Sequence, residues 1–196
     1  MTIDLSIIHL LVVLLFLCYL SFWYSSLKIF KTTKELNRKH RIFFKLLTIG
    51  LWNYSLITLA FMSPDLWGQT RINLQLKEIF LISFMLLISL SLFWYAKRTI
   101  ENVKFDVIFS KKTPEVIVME GPYRLIRHPF YTSYIVTYLG LILLNYNFLV
   151  SLVAGVLVVD YVFAALNEEK KFLTSSFSKE YKSYQSKTKM FFPFIF

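Results

Sequence analysis

Apolar residues in this chain come in long uninterrupted runs rather than in the three-and-four spacing of a soluble amphipathic helix. Residues 5–27 carry no Asp, Glu, Lys or Arg. A helix of that length crosses about 30 Å of hydrocarbon with some tilt, so this is the first expected membrane span. Phe22, Trp23 and Tyr24 close it as an interfacial aromatic belt. A second uncharged run covers residues 46–64 and ends in Ser63-Pro64-Asp65, a helix stop followed by a turn. The third covers residues 79–96, with a start that Leu74 and Leu76 can move earlier. Residues 129–159 are again uncharged, too many for one ordinary span. Asn145-Tyr146-Asn147 divides them into a tight helical hairpin, residues 130–144 and 148 to about 166. The fold expected is therefore all-α, an integral membrane protein with five transmembrane helices. Residues 1–96 hold three of them, and residues 97–196 form a separate functional part.

Charge orients that arrangement. The connections after the first and third spans and the C-terminal tail hold seven, seven and six Lys or Arg residues, whereas the opposite side holds only Arg71 and Lys77. By the excess of positive charge on cytoplasmic loops, the N-terminus lies outside and the C-terminus in the cytoplasm. The net charge of +10 would suggest nucleic acid in a soluble protein. Here 56% of residues are hydrophobic and the cations sit between apolar runs, as topology signals do, so no nucleic-acid partner is expected. A single cysteine, Cys18, rules out an intrachain disulfide and a cysteine-rich metal site. Five glycines with no Gly-x-Gly-x-x-Gly spacing give no sign of a dinucleotide fold or a phosphate loop.

Residues 97–128 form the one long polar connection, and its end carries the chemistry. Gly121-Pro122-Tyr123-Arg124-Leu125-Ile126-Arg127-His128-Pro129-Phe130-Tyr131 gathers guanidinium, imidazole and phenol groups directly before an apolar run. A basic flank needs only positive charge; it has no use for Gly-Pro-Tyr at one end and Pro-x-Tyr at the other. Pro129 suits the first turn of a helix and biases His128 towards extended backbone. Just ahead, residues 115–119 are a short apolar stretch that reads as a strand-like lid or a re-entrant segment. On the fifth helix, Asp160, Ala164, Asn167 and Glu168 share one face. Glu168 and Glu169 stand near a helix C-terminus, where acids run against the macrodipole and want a positive partner. That partner is either protein, from Lys170, Lys171 or the Arg127 region, or a cationic ligand.

Gly-x-Tyr, then Arg-His-Pro-x-Tyr, followed by Glu168-Glu169, Leu173, Phe177, Tyr181 and Tyr184, resembles the isoprenylcysteine carboxyl methyltransferase and phospholipid methyltransferase superfamily. The matching motifs cover residues 115–193. The resemblance implies S-adenosyl-L-methionine as methyl donor, bound at the cytoplasmic face, and a lipophilic acceptor: a prenylcysteine-like carboxylate or a lipid headgroup. Ile117, Val118, Tyr123, His128, Tyr131, Glu168 and Glu169 match donor-contacting positions, with Glu169 ahead of Glu168. Arg127 and Glu169 are the candidate catalytic pair, and no metal is implied. Arg127 and His128 would face the donor's carboxylate, and the acids its sulfonium and ammonium. In the eukaryotic prenylcysteine enzymes an arginine one turn before the glutamates engages the substrate carboxylate; Ala165 stands there in this chain. Two rival readings are an NADPH-dependent sterol or enone reductase of related architecture and a non-enzymatic membrane scaffold.

Overall fold

The computed structural model describes residues 5–28, 43, 46–55, 75–101, 117–145 and 148–193. The described residues build helices joined by turns, with no strand beyond one isolated bridge. Helix α1 is Leu5–Lys28, and residues 46–55 form α2. Leu76–Glu101 is α3, Pro129–Asn145 is α4, Phe148–Leu173 is α5, and Ser178–Lys187 is a short polar helix, α6. Residues 117–119 are irregular, neither strand nor helix, and lead into a 3₁₀ turn at Gly121–Arg124. The remainder of the apolar stretch that begins at residue 115, the second half of the second apolar run and most of the first basic connection lie outside the described residues.

Both α3 and α5 are long and apolar enough to cross a bilayer, with mean hydropathies of 2.2 and 2.4 over their most apolar stretches. Their outward residues are what lipid would touch: Phe80, Phe84, Leu152 and Phe163 are exposed. The third expected run grew at both ends into α3. Helix α4 ends at Asn145 and α5 begins at Phe148, in keeping with the expected hairpin, but α5 runs past residue 166 to Leu173. Lys170 and Lys171 suit the dipole of its last turn. Thr174 closes it, its amide and its hydroxyl both donating to the Lys170 carbonyl. Glu168 and Glu169 therefore stand on regular helix.

In the apolar interior α3 packs on α4, and a buried polar ladder joins them: Ser89 Oγ donates to the Ser133 carbonyl at 2.7 Å and lies 2.6 Å from Thr137 Oγ1. Small hydroxyl side chains let helix backbones approach closely and satisfy one another where no water is available. Helix α1 reaches the same core through Leu11, Leu15 and Cys18, whose thiol points at the Leu86 carbonyl at 3.8 Å. Near the polar end of α3, Trp94 Nε1 donates to Ser21 Oγ, and Lys97 Nζ lies 4.8 Å from the centre of the Trp94 ring. Aromatic and cationic side chains of this kind are frequent where a membrane helix meets water. The motif turn is fastened beside it. Gly121 has φ of 54°, and a Cβ there would run into the Thr99 side chain, so both backbone angle and helix proximity favour glycine.

Candidate functional site

Pro129 opens α4, and the residue before it does two backbone jobs at once. The His128 carbonyl accepts from the Thr132 amide and from Thr132 Oγ1, while its own amide donates to the Met190 carbonyl at 3.1 Å. The C-terminal segment lies alongside: Arg127 N–H donates to the Lys189 carbonyl at 2.8 Å, and Lys189 N–H to the Leu125 carbonyl at 3.1 Å. Thr132 Oγ1 also reaches the Phe191 carbonyl, and Tyr184 OH donates to the Tyr123 carbonyl at 2.6 Å. A loop whose backbone is bonded this completely holds its side chains in fixed directions.

Those side chains converge on α5. Arg127 Nε donates to Glu169 Oε1 at 2.7 Å, and its Nη1 to the Thr188 carbonyl at 2.5 Å. His128 Nε2 lies 3.1 Å from the same Glu169 oxygen, and His128 Nδ1 lies 3.6 Å from Glu168 Oε2. Tyr131 OH donates to Glu168 Oε1 at 2.5 Å. Gln185 Nε2 donates to Glu169 Oε2 at 2.7 Å. Both oxygens of Glu169 are thus engaged, and its side chain is 8% exposed. Glu168, one residue earlier, keeps 40% of its side chain exposed.

Adjacent helical residues differ by about 100° in direction, yet both glutamates reach the motif. The imidazole edge sits between the two positions, and a glutamate's rotatable bonds let each carboxylate swing to a different ring nitrogen. Burial disfavours a charged imidazole, but hydrogen bonds and charge from Glu168 and Glu169 outweigh it, so His128 titrates above the ordinary 6.5. Burial and the nearby Glu168 charge push the Tyr123 phenol upward, and it stays neutral. Aromatic rings enclose the rest: Tyr131 stacks on His128 with centroids 5.7 Å apart, and Phe191 lies 5.9 Å from the same ring.

Of the residues singled out by sequence, Tyr123, Arg127, His128, Tyr131, Glu168 and Glu169 meet here. Ile117 and Val118 are half-buried in the irregular segment that feeds the turn. Arg127, expected to offer its charge to a ligand carboxylate, is bonded through Nε and Nη1 to protein acceptors. Asp160 is half-buried farther down α5. Sequence reasoning overlooked Gln185 and the carbonyls of residues 188–191. The only signal for Gln185 is spacing, since Tyr181, Tyr184 and Gln185 lie along one helical face. Backbone carbonyls leave no signal at all.

The cluster joins an acid with an exposed side chain, phenols, an imidazole held between two carboxylates and apolar walls, all at the polar ends of two apolar helices. Its exposed carboxylate suits a small ligand bearing positive charge, and among the described residues no group of acids, histidines or cysteines could hold a metal ion. No match was found among curated proteins or among solved structures. The model of one family, phospholipid methyltransferase, matches residues 76–180, just over half of the chain and the part that supplies both walls of the cluster. The protein therefore belongs to the phospholipid methyltransferase family and is a membrane methyltransferase.

Proposed function

We propose that this protein transfers a methyl group from S-adenosyl-L-methionine to a lipophilic acceptor, a lipid headgroup or a prenylcysteine-like carboxylate, at the cytoplasmic face of the membrane. The observation that carries the reading is the contrast between the two glutamates. Glu169 is closed off by Arg127, His128 and Gln185, while Glu168 keeps an exposed side chain beside the phenols of Tyr131 and Tyr123. A sulfonium and an ammonium want an accessible carboxylate flanked by aromatic rings, and this is the one the cluster offers.

When bound, the donor supplies an activated methyl group for an in-line displacement. The chain's own part is to align the two partners and exclude water. In our reading Glu168 faces the donor's cationic groups, Tyr123 and Tyr131 wall them, His128 completes the polar edge, and Ile117 and Val118 cover the apolar side. The pair expected to be catalytic, Arg127 and Glu169, works from behind, fixing His128 and the turn. Ala165 leaves the acceptor side without the arginine that prenylcysteine enzymes present to a carboxylate, which favours a lipid headgroup. Membrane lipids are then both solvent and source of substrate, and entry is sideways from the bilayer.

The topology proposed with it has five membrane-crossing helices, the N-terminus outside and the motif and α6 in the cytoplasm. Detergent-solubilised protein is expected to bind tritiated S-adenosylmethionine and not NADPH, and to pass methyl label to a lipid extract. Failure to bind the donor overturns the reading, and NADPH binding replaces it with the reductase. Lys182 is exposed on α6, so Lys182→Cys in a Cys18→Ser background tests the orientation. An impermeant thiol reagent is expected to label it in inverted vesicles and not in intact cells; the reverse pattern puts the site on the wrong side.

A further inference from the structure

The family match ends at residue 180, yet the cluster does not. Residues 184–191 run along the motif turn and bond it repeatedly: through Tyr184 to the Tyr123 carbonyl, through Lys189 to Leu125 and Arg127, through Met190 to His128 and through Phe191 to Thr132. Almost all of these bonds end on backbone. Gln185 differs, because its side-chain amide donates to the one carboxylate oxygen of Glu169 that Arg127 and His128 leave over. Glu169 is enclosed by protein, so the oxygen would otherwise stand as a buried acceptor without a donor.

We infer that Gln185 is a positioning residue: its amide holds Glu169, and through Glu169 the imidazole of His128, in the arrangement that leaves Glu168 turned towards ligand. The inference rests on the donor site proposed above for its functional meaning, but the link from Gln185 to His128 is testable without any donor. The charged groups around that imidazole are Glu168 and Glu169 from α5 and Arg127 from the turn, with the Tyr131 hydroxyl from α4. Gln185 is the neutral donor that α6 adds. Taking its N–H away leaves the Glu169 carboxylate less well satisfied and a stronger acceptor for the His128 proton.

The test uses full-length protein in detergent with labelled histidine. The chain has only three histidines, so a His128→Asn spectrum identifies the signal. Gln185→Met keeps the length and removes the amide; the His128 titration midpoint is expected to move upward, and S-adenosylmethionine affinity to fall roughly tenfold, as for one hydrogen bond to a charged group. Gln185→Asn withdraws the amide by one methylene and should shift the midpoint in the same direction, which covers the case in which the methionine variant fails to fold. Tyr184→Phe, which loosens the same segment without touching Glu169, should leave the midpoint in place. An unchanged His128 midpoint in a folded Gln185 variant overturns the inference, as does an equal shift in Tyr184→Phe. If the parent protein binds no donor, the proposed function falls while the His128 midpoint still decides the role of Gln185.

Discussion

Arg127 Nε and Glu169 Oε1 stand 2.7 Å apart although 42 positions separate them in the chain. The pair joins the turn before α4 to the last turns of α5. Their side chains are only 10% and 8% exposed, so neither charge can fall back on water. Buried pairs add little net stability over apolar packing, but breaking one strands the survivor.

Arg127→Ala is therefore expected to destabilise the protein, by less than the roughly 3–5 kcal/mol that a wholly uncompensated buried charge costs, because His128 and Gln185 still face Glu169. Pairing it with Glu169→Gln should recover part of that loss, because the charge that faced Arg127 is gone as well. Thermal unfolding of the single and double variants in one detergent measures the coupling. Strict additivity would mean that the two groups do not depend on each other.

The glutamates should separate by readout. Glu168→Gln is expected to weaken S-adenosylmethionine binding by about 1–3 kcal/mol, the range for a charge-assisted contact, with little change in melting temperature. Glu169→Gln should lower the melting temperature as well, since Arg127 and His128 lose their acceptor charge. Calorimetric titration beside a melting curve decides between them. A donor affinity that survives Glu168→Gln and vanishes with Glu169→Gln in a folded protein would return the donor-facing role to Glu169.

His128 sets a pH dependence whose sign follows from its shift. Its folded value lies above the ordinary 6.5, so the folded state holds the proton more tightly than the unfolded chain does. The stability this contributes is fully present below 6.5 and is lost as pH rises through the higher folded value. Melting temperature should thus decline across that window in the parent and stay flatter in His128→Asn. Equal slopes in the two proteins would show that the imidazole is not held as an imidazolium between Glu168 and Glu169.

Gly121→Ala meets two separate obstacles: a left-handed backbone angle, worth about 1–2 kcal/mol for a residue with a Cβ, and collision with the Thr99 side chain. Combining it with Thr99→Ala removes the collision and leaves the backbone cost. Unfolding measurements should show the double variant recovering only part of the loss. Full recovery would mean that the positive φ at Gly121 carries no cost.

The sequence alone was enough to establish that this is a chain of long apolar helices and where its chemistry is concentrated. Charge-free runs must bury themselves or meet lipid whatever surrounds them, so the stretches that became α1, α3, α4 and α5 were legible from hydropathy alone. Pro129 could be read as a helix start for an equally local reason, since its ring fixes one backbone angle. Folding decided which partner each charge takes. The direction of Glu168 and Glu169 depends on helix phase carried from the far end of α5, and on a glutamate side chain flexible enough to override that phase. Gln185 acquires its role only because the C-terminal segment folds back along the turn, and the carbonyls of Thr188, Lys189 and Met190 that hold Arg127 and His128 belong to the backbone, where residue identity says nothing about contacts. Local physics wrote the helices and the motif into the sequence. The division of labour between two neighbouring carboxylates is a property of packing, and it exists only once the two ends of the motif region have met.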